Sequence, residues 1–357
     1  MSKSVRKKKI ILYSVLFFIS LVLIVIACFI IYINNVLNSI NFESTPDFYS
    51  DDANEKQTTN LKVLNVLVLG ADARPGEKNG RSDCILVVSI NIERKKIKVT
   101  SIMRDTWVDI PGWSFDKACH SFAYGGPSLA VQMIEKNFDI KIYRYASIDF
   151  SGFEDIVEVL NGISMYLTKE ESRYINRYSH DKNYLEEKDG VQHLSPSQAL
   201  AHVGDRNIFK IDPTNPGNKL GDDYARASRQ RDFIKAVFLE FKNCNLGQLS
   251  GIISKISTKI TTNFKKKELL KFVSNCLKYK NFELEEYAIP ESDDYLGCFD
   301  LEQGMSILGI KNIKRVRFRL KKFIFEDQND YDETLDEDRL YSDVPVKISL
   351  SKEIWKP

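Results

Sequence analysis

Two kinds of apolar pattern divide this chain. From Ile10 to Ile33, 24 consecutive residues carry no charged side chain. A helix of that length reaches roughly 36 Å, enough to cross a hydrocarbon core of about 30 Å. Beyond Leu61 the apolar residues come in short β-branched runs: Val63 to Leu69 (VLNVLVL), Cys84 to Ile92 (CILVVSINI) and Ile97 to Met103 (IKVTSIM). The first two are nearly continuous, as strands buried on both faces are. Further strands are expected at Ile142 to Ile148, Ile163 to Leu167 and Val316 to Leu320.

Helical spacing alternates with these runs. Pro127 to Asn137 follows a Gly-Gly-Pro start and carries Leu129, Met133 and Ile134, and Phe150 to Leu160 repeats the period with Phe153, Ile156, Val157 and Leu160. Ser195 to Val203 opens on Ser-Pro, a helix-start signal. Asp223 to Lys242 sets Phe233, Ile234, Val237, Phe238 and Phe241 on one face, and Leu246 to Ile256 and Lys267 to Leu277 continue in the same manner. Strands interleaved with helices imply an α/β sheet covered on both faces.

Charge fixes a topology for the apolar span. Lys3, Arg6, Lys7, Lys8 and Lys9 precede it, and the next basic residue is Lys56. By the positive-inside rule residues 1–9 are a cytoplasmic tail, residues 10–33 a transmembrane signal anchor, and the rest is exported, as in a single-pass protein of a Gram-positive cell membrane. A cleaved signal peptide has an apolar region of only about 7–15 residues and a small-residue cleavage site, which Ile33-Asn34-Asn35 is not. Residues 34–60, polar and holding Pro46, read as an extracytoplasmic linker. The folded domain spans 61–325. Residues 326–357 form a tail in which 326–338 hold eight acidic side chains, a solvated and mobile run.

Setting aside the basic N-tail turns 51 basic against 49 acidic residues into a net charge of −3 for the exported part. No basic field recommends nucleic acid as a partner. With nine residues inside the cell, a membrane-linked transcriptional regulator has no material for a helix-turn-helix. The six cysteines show no CxxC pair or regular spacing and read as buried free thiols rather than a disulfide framework.

Candidate chemistry gathers at strand ends. Asp72 in GADAR follows the first strand, and Asp83 in NGRSD precedes the second. If the strands are neighbours, the two carboxylates suit one divalent ion, since Mg2+ takes one or two protein carboxylates plus phosphate oxygens and water. The other reading makes Asp72 a turn residue and Asp83 a local cap. Arg81 shares their loop, Arg104 ends the third strand beside Asp105, Arg206 follows a helix, and Arg226, Arg229 and Gln230 form RxxRQ on one helical face. Guanidinium forks match phosphate oxygens and stay charged when partly buried, so their convergence would mark a diphosphate. Taken singly, each arginine is more often a surface ion-pair partner. The four histidines lack zinc spacing, and no GxSxG, GxGxxG or GxxxxGK[ST] motif occurs.

The blocks NVLVLGADAR, NGRSD, VVSIN and SIMRDTWVDIPG in residues 65–111, DKACHSFAYGGP at 116–127, DFSGF at 149–153 and DYARASRQ at 223–230 resemble the LytR-CpsA-Psr family in content, order and spacing. The resemblance implies an α/β/α sandwich with a central mixed sheet and an apolar groove for a polyprenyl chain. It implies a transferase, an extracytoplasmic phosphotransferase that moves a glycopolymer such as teichoic acid or capsule. The donor would be undecaprenyl diphosphate, and the acceptor the C6 hydroxyl of N-acetylmuramic acid in peptidoglycan. Carried over by position, it implies that Asp72 and Asp83 bind Mg2+, with Mn2+ the alternative cation. It further implies that Arg81, Arg104, Arg206, Arg226 and Gln230 contact the diphosphate, with Arg229 the neighbouring arginine of the motif.

Several positions depart from the family pattern. Gly204-Asp205-Arg206 stands where an Arg-x-Arg pair is usual, and about ten extra residues within Asn207 to Gly221 precede the RxxRQ helix. Met103 replaces the usual Pro, and Ala225 a Gly. Lys210 or Lys219 could restore the lost charge, though an ammonium is no fixed fork. The expected mechanism is positioning and charge neutralisation. Asp105 is either the general base toward the acceptor hydroxyl or an arginine's partner. Phe233 and Val237 are expected to line the groove. The competing reading is a non-catalytic binder or assembly factor for lipid-linked glycans.

Overall fold

The computed structural model describes residues 31–43, 63–72, 80–205, 210–211, 219–220, 222–300, 304–326 and 348–349. Sixteen strands appear among them: β1 (Asn41–Phe42), β2 (Val63–Asp72), β3 (Arg81–Asn91), β4 (Lys96–Ile102), β5 (Trp107–Asp109), β6 (Phe115–Lys117), β7 (Arg144–Asp149) and β8 (Ile163–Leu167), then β9 (Gly190–Leu194), β10 (Lys210–Ile211), β11 (Lys219–Leu220), β12 (Ile260–Thr262), β13 (Glu283–Ile289), β14 (Tyr295–Asp300), β15 (Met305–Ile310) and β16 (Ile348–Ser349). The helices are α1 (residues 31–39), α2 (His120–Phe138), α3 (Phe150–Val159), α4 (Lys169–Tyr178), α5 (Pro196–Gly204), α6 (Asp222–Asn243), α7 (Leu246–Ile256), α8 (Lys266–Tyr279) and α9 (Ile313–Phe325).

Seven strands form a mixed sheet in the order β1-β12-β7-β2-β3-β4-β13. The β2–β3 pair is antiparallel and β2 runs parallel to β7, with a register shift between Gly70 and Ala71 where β2 reaches the rim. Alternation along β2 and β3 sends Leu67, Leu69, Ile85 and Val87 to one face, against Met133, Ile134 and Phe138 of α2 and Val316, Leu320 and Ile324 of α9. Cys84, Leu86 and Ile90 go to the other face, against Phe238 of α6 and Tyr279 at the end of α8. Each fully buried side chain of this size contributes about 1.5–3 kcal/mol, so the layering follows from two-sided apolar strands. A third cluster joins α3, α4, α5 and α6 through Val157, Ile175, Ala199 and Phe233.

The helix-start signals hold. Ser195 and Gln198 form a capping box before Pro196, and the Asp149 side chain accepts from the Gly152 N–H to open α3. In α2 the Gly-Gly-Pro sequence starts the second of two segments: Gly125 and Gly126 leave helical geometry, Gly126 with φ +64°, and Pro127 resumes it.

Three expectations change. Val316 to Leu320 is helical, not a strand: Asn312 caps α9, and Val316, Leu320 and Ile324 recur every four residues on its buried face. A run of five in which apolar and charged residues alternate, VRFRL, is ambiguous between strand and helix until packing decides. Residues 34–43 are not a free tether, because α1 crosses the expected anchor–linker boundary and docks. Tyr32 hydrogen-bonds Ser250 at 2.8 Å, Ser39 donates to Ser257 at 2.7 Å, and β1 pairs with β12. The acidic tail is not wholly separate either, since Glu326 C-caps α9 and β16 pairs with β14. Residues 10–30 of the apolar span lie outside the described residues, among which no helix is long and apolar enough to cross a membrane. Within the extra segment before α6, Lys210 to Ile211 and Lys219 to Leu220 form an antiparallel hairpin. Cys84, Cys119, Cys244 and Cys298 are free and buried, as expected.

Candidate functional site

The sheet brings its chemistry to one rim. β3 enters there with Arg81 and Asp83, and Arg81 pairs in register with Asp72 at the end of β2. Beyond β4 the turn carrying Arg104 is pinned from three sides. The Met103 N–H donates to Ile289 O at 3.0 Å, Cys119 N–H to Arg104 O at 3.0 Å, and Leu308 N–H to Asp105 O at 2.9 Å. From the covering layer, α6 presents Arg226 and Gln230 one turn apart, on one face.

Asp83 is the hub. Arg104 Nη1 lies 2.6 Å from Asp83 Oδ1, Arg226 Nη2 lies 2.7 Å from Oδ2, and Gln230 Nε2 donates to the Asp83 carbonyl at 3.2 Å. Arg226 is only 4% exposed, yet its Nε and Nη1 have no hydrogen-bond partner among the described residues. Leaving buried donors unpaired costs about 1–3 kcal/mol each, more for charged groups. Two guanidinium ions on one carboxylate also leave a net positive charge in a dry setting. Such a centre is built for an anion with several oxygens.

The charged chain extends outward. Asp105, buried, takes Arg104 Nε at 3.3 Å and Lys117 Nζ at 2.6 Å, so both its oxygens face cations. The expected pairing of Asp105 with an arginine is present, and through it Asp105 braces Arg104. Arg229 is turned away from the cluster. Fully buried, it faces Glu171 Oε1 at 3.1 Å and Asp205 Oδ2 at 3.3 Å, and donates to the Asp205 carbonyl at 3.2 Å. It ties α6 to α4 and to the end of α5 rather than joining the anion site. Arg206 lies outside the described residues, as does the side chain of Asp72.

Beside the hub opens an apolar pocket, the groove, lined by Cys84, Phe153, Val157, Leu200, Phe233 and Ile234, with Gln230 linking it to Asp83. Phe153 and Phe233 meet edge to face at 5.8 Å. Burial pushes the Cys84 thiol up to about 12, against the pull of Arg226, which keeps it an apolar wall. Phe233 is among these lining residues, and Val237, one turn on, packs on the same apolar cluster. Gly70 serves the groove floor: a Cβ there would lie 2.8 Å from Cys84 Cβ, so only glycine lets the strands approach so closely.

Lys117 was not among the residues singled out from the sequence. Nor were Asp116, His120 and Tyr124, although DKACHSFAYGGP was noted as a block. The signal was a dense run of polar and aromatic residues between two short elements, without a motif to assign roles.

Mg2+ takes one or two protein carboxylates plus phosphate oxygens and water. Asp83 offers a carboxylate with a guanidinium on each oxygen, and Asp72 stands at the neighbouring strand end. Among the described residues no group of three or more His, Cys, Asp or Glu gathers.

A mixed sheet between helical layers, with paired guanidinium groups at one rim beside an apolar groove, defines the class as an α/β/α domain. The chain belongs to the LytR_cpsA_psr family, which it matches over residues 30–317. It is 29% identical over 253 residues to the polyisoprenyl-teichoic acid–peptidoglycan teichoic acid transferase TagU of Bacillus cereus (strain AH820), covering 69% of this chain and 76% of that protein. TagT of Bacillus subtilis (strain 168), a transferase of the same description, is 30% identical over 235 residues, 63% of this chain and 68% of the relative. Among solved structures, TagT bound to LI-WTA aligns with a TM-score of 0.57 at 25% identity, over 74% of this chain and 91% of that one.

Proposed function

We propose that the protein is a membrane-anchored, extracytoplasmic transferase that moves a glycopolymer of the teichoic acid or capsule type from a polyprenyl diphosphate carrier to peptidoglycan. One observation carries this reading: the buried Nε and Nη1 of Arg226, without a partner among the described residues, belong to a side chain on Asp83, which also meets Gln230 of the groove lining. A diphosphate on a hydrocarbon chain satisfies both at once. The names of TagU and TagT supply the donor and acceptor classes.

In the reaction an acceptor sugar hydroxyl attacks the phosphorus bound to the glycan. The bond from that phosphorus to the bridging oxygen breaks, polyprenyl phosphate leaves, and the hydroxyl proton passes to solvent. Arg104 and Arg226 neutralise charge on the transferred phosphate and the leaving group, already held in place by Asp83 and so needing little reorganisation. Gln230 donates at the groove end, and Arg81 lies at the outer edge. Mg2+, held by Asp72 and Asp83, would supply further positive charge against the phosphate oxygens. Phe153 and Phe233 receive the first isoprene units. The apolar run ahead of α1 keeps the domain at the membrane that holds the lipid.

The test is transfer of a radiolabelled glycan from polyprenyl diphosphate to peptidoglycan fragments by the full chain in detergent. Transfer that disappears in Arg104→Ala and in Arg226→Ala, with both variants folded, supports the reading. Undiminished transfer in both defeats it, and donor binding without turnover by the wild type makes the chain a binder instead.

A further inference from the structure

A second feature lies beside the charged rim, on the face opposite the groove. The β5–β6 turn is closed by Ile110 N–H donating to Ser114 O at 3.1 Å and Trp113 N–H to Ile110 O at 3.0 Å, with Gly112 at φ +77°. This turn presents Trp113, 60% exposed, against Tyr124 of α2, 38% exposed. The rings stack at 4.2 Å between centroids and 15° between planes. The pair is anchored from below: the Tyr124 hydroxyl donates to Asp116 Oδ2, and His120 Nδ1 lies 2.9 Å from Asp116 Oδ1.

A large indole held open to water by a fixed turn has no role in the core. Large apolar side chains kept on a surface mark an interaction site. Its place along the substrate's path follows from two contacts. Just before α2 the Cys119 N–H donates to Arg104 O at 3.0 Å, and Lys117, next to the Asp116 that holds Tyr124, lies 2.6 Å from Asp105.

The groove lies on the Cys84 and α6 face of the sheet and α2, which carries Tyr124, on the other; Asp83 at the rim meets Arg226 of α6 and Arg104, whose carbonyl holds the start of α2. A diphosphate seated on that cluster has two ends. Its hydrocarbon end belongs to the groove, which leaves the sugar end facing the rings. Pyranose rings carry a face of C–H groups that lies flat on the negative face of an aromatic ring, while their hydroxyls stay wet.

We propose that Trp113, braced by Tyr124, is the platform for the first sugar of the lipid-linked donor, the pyranose joined directly to the diphosphate. This rests on the diphosphate reading above and adds a specificity determinant to it. Trp113 would contribute selectivity for a glycosylated carrier over the bare lipid diphosphate.

The experiment uses the full chain in detergent and two probes, a short-chain polyprenyl diphosphate and the same lipid bearing N-acetylglucosamine. The wild type should bind the sugar-bearing probe more tightly. Trp113→Ala should weaken that probe about 3- to 10-fold, the scale of one aromatic contact, and leave the bare lipid diphosphate unchanged. Trp113→Phe should recover most of the loss. Equal wild-type affinity for both probes, an equal loss for both in Trp113→Ala, or no loss at all overturns the platform while sparing the diphosphate site. So does a defect confined to a raised KM for the peptidoglycan acceptor, which would place the acceptor sugar there. A wild type that binds neither probe overturns the diphosphate reading and the platform with it.

Discussion

Replacing Arg226 by Met separates binding from stability. The substitution keeps the side chain's length and apolar stem while removing one charge and the two unpartnered donors, Nε and Nη1. On the folding side, removing one partner of a buried ion pair costs about 3–5 kcal/mol when the other charge is stranded. Here Asp83 keeps Arg104 at 2.6 Å, so it is not stranded. Deleting two unsatisfied buried donors returns about 1–3 kcal/mol each. The two terms nearly cancel, and the variant should stay within about 2 kcal/mol of the wild type, a few degrees in Tm. On the binding side, two hydrogen bonds to a charged acceptor are worth about 1.5–3 kcal/mol each, so a diphosphate should lose roughly 3–6 kcal/mol, or about 100- to 10,000-fold in Kd. Calorimetric titration with a short-chain polyprenyl diphosphate, beside thermal melts of the same samples, reads both. A Kd within 3-fold of wild type, or a collapse of Tm with binding retained, would refute the assignment of those donors to the ligand.

Arg229→Ala should show the opposite split. Glu171 and Asp205 would both be left buried without their guanidinium, at a cost of about 3–5 kcal/mol, and Tm should fall by roughly 10 °C while the folded fraction still binds the lipid diphosphate. An unchanged melt would contradict the network seen around it. Gly70→Ala puts a Cβ 2.8 Å from Cys84 Cβ, and overpacking of that kind costs about 1–3 kcal/mol; it is expected to lower the urea midpoint and weaken the polyprenyl probe more than inorganic pyrophosphate. Glu326, bonded first by Lys98 and then by Arg94 and Lys96, is pulled down to about 2 from an ordinary 4.5. Below 4.5 the unfolded chain takes up a proton that the folded one refuses, so this stabilisation is whole above that pH and drains away as pH falls toward 2. The stability gap between wild type and Glu326→Gln, read by urea melts, should shrink between pH 5 and pH 3; a constant gap would place the interaction elsewhere.

Much of this was legible because the strands are apolar on both faces, which fixed the three central strands and the layered architecture from residue pattern alone. The charged blocks at strand ends could be named, since Asp83, Arg104, Arg226 and Gln230 each stand at a position where an element begins or ends, or on one helical face. What sequence could not assign was direction. RxxRQ offers Arg226 and Arg229 as near neighbours, but three positions on a helix turn a side chain by about 60° net, and that rotation sends one to Asp83 and the other into Glu171 and Asp205. The same limit applied to Val316 to Leu320, where apolar and charged residues alternate and the every-fourth-residue pattern emerges only when Ile324 is included. It applied again after Ile33, where a polar composition concealed backbone pairing of β1 with β12, an interaction that composition does not encode.

The role of Asp83 follows from considering the site without it. Arg104 and Arg226 come from different elements, and two guanidinium ions converging on one point in a poorly solvated setting repel each other. A carboxylate between them, one oxygen to each, removes that repulsion and sets their spacing before any substrate arrives. The neutralisation stays incomplete, because with Asp105 and Lys117 counted two carboxylates face three cationic side chains. A singly charged anion could restore neutrality but would leave donors of Arg226 unused, whereas a diphosphate brings enough oxygens for the remaining N–H groups without evicting Asp83. Asp83→Asn should therefore do more than remove a charge. With the arginines no longer held, inorganic phosphate and pyrophosphate should bind with more nearly equal affinity, and transfer should fall even where lipid diphosphate still binds. An Asn variant that keeps both its preference for pyrophosphate and its transfer rate would show that the arginines are placed by the fold alone.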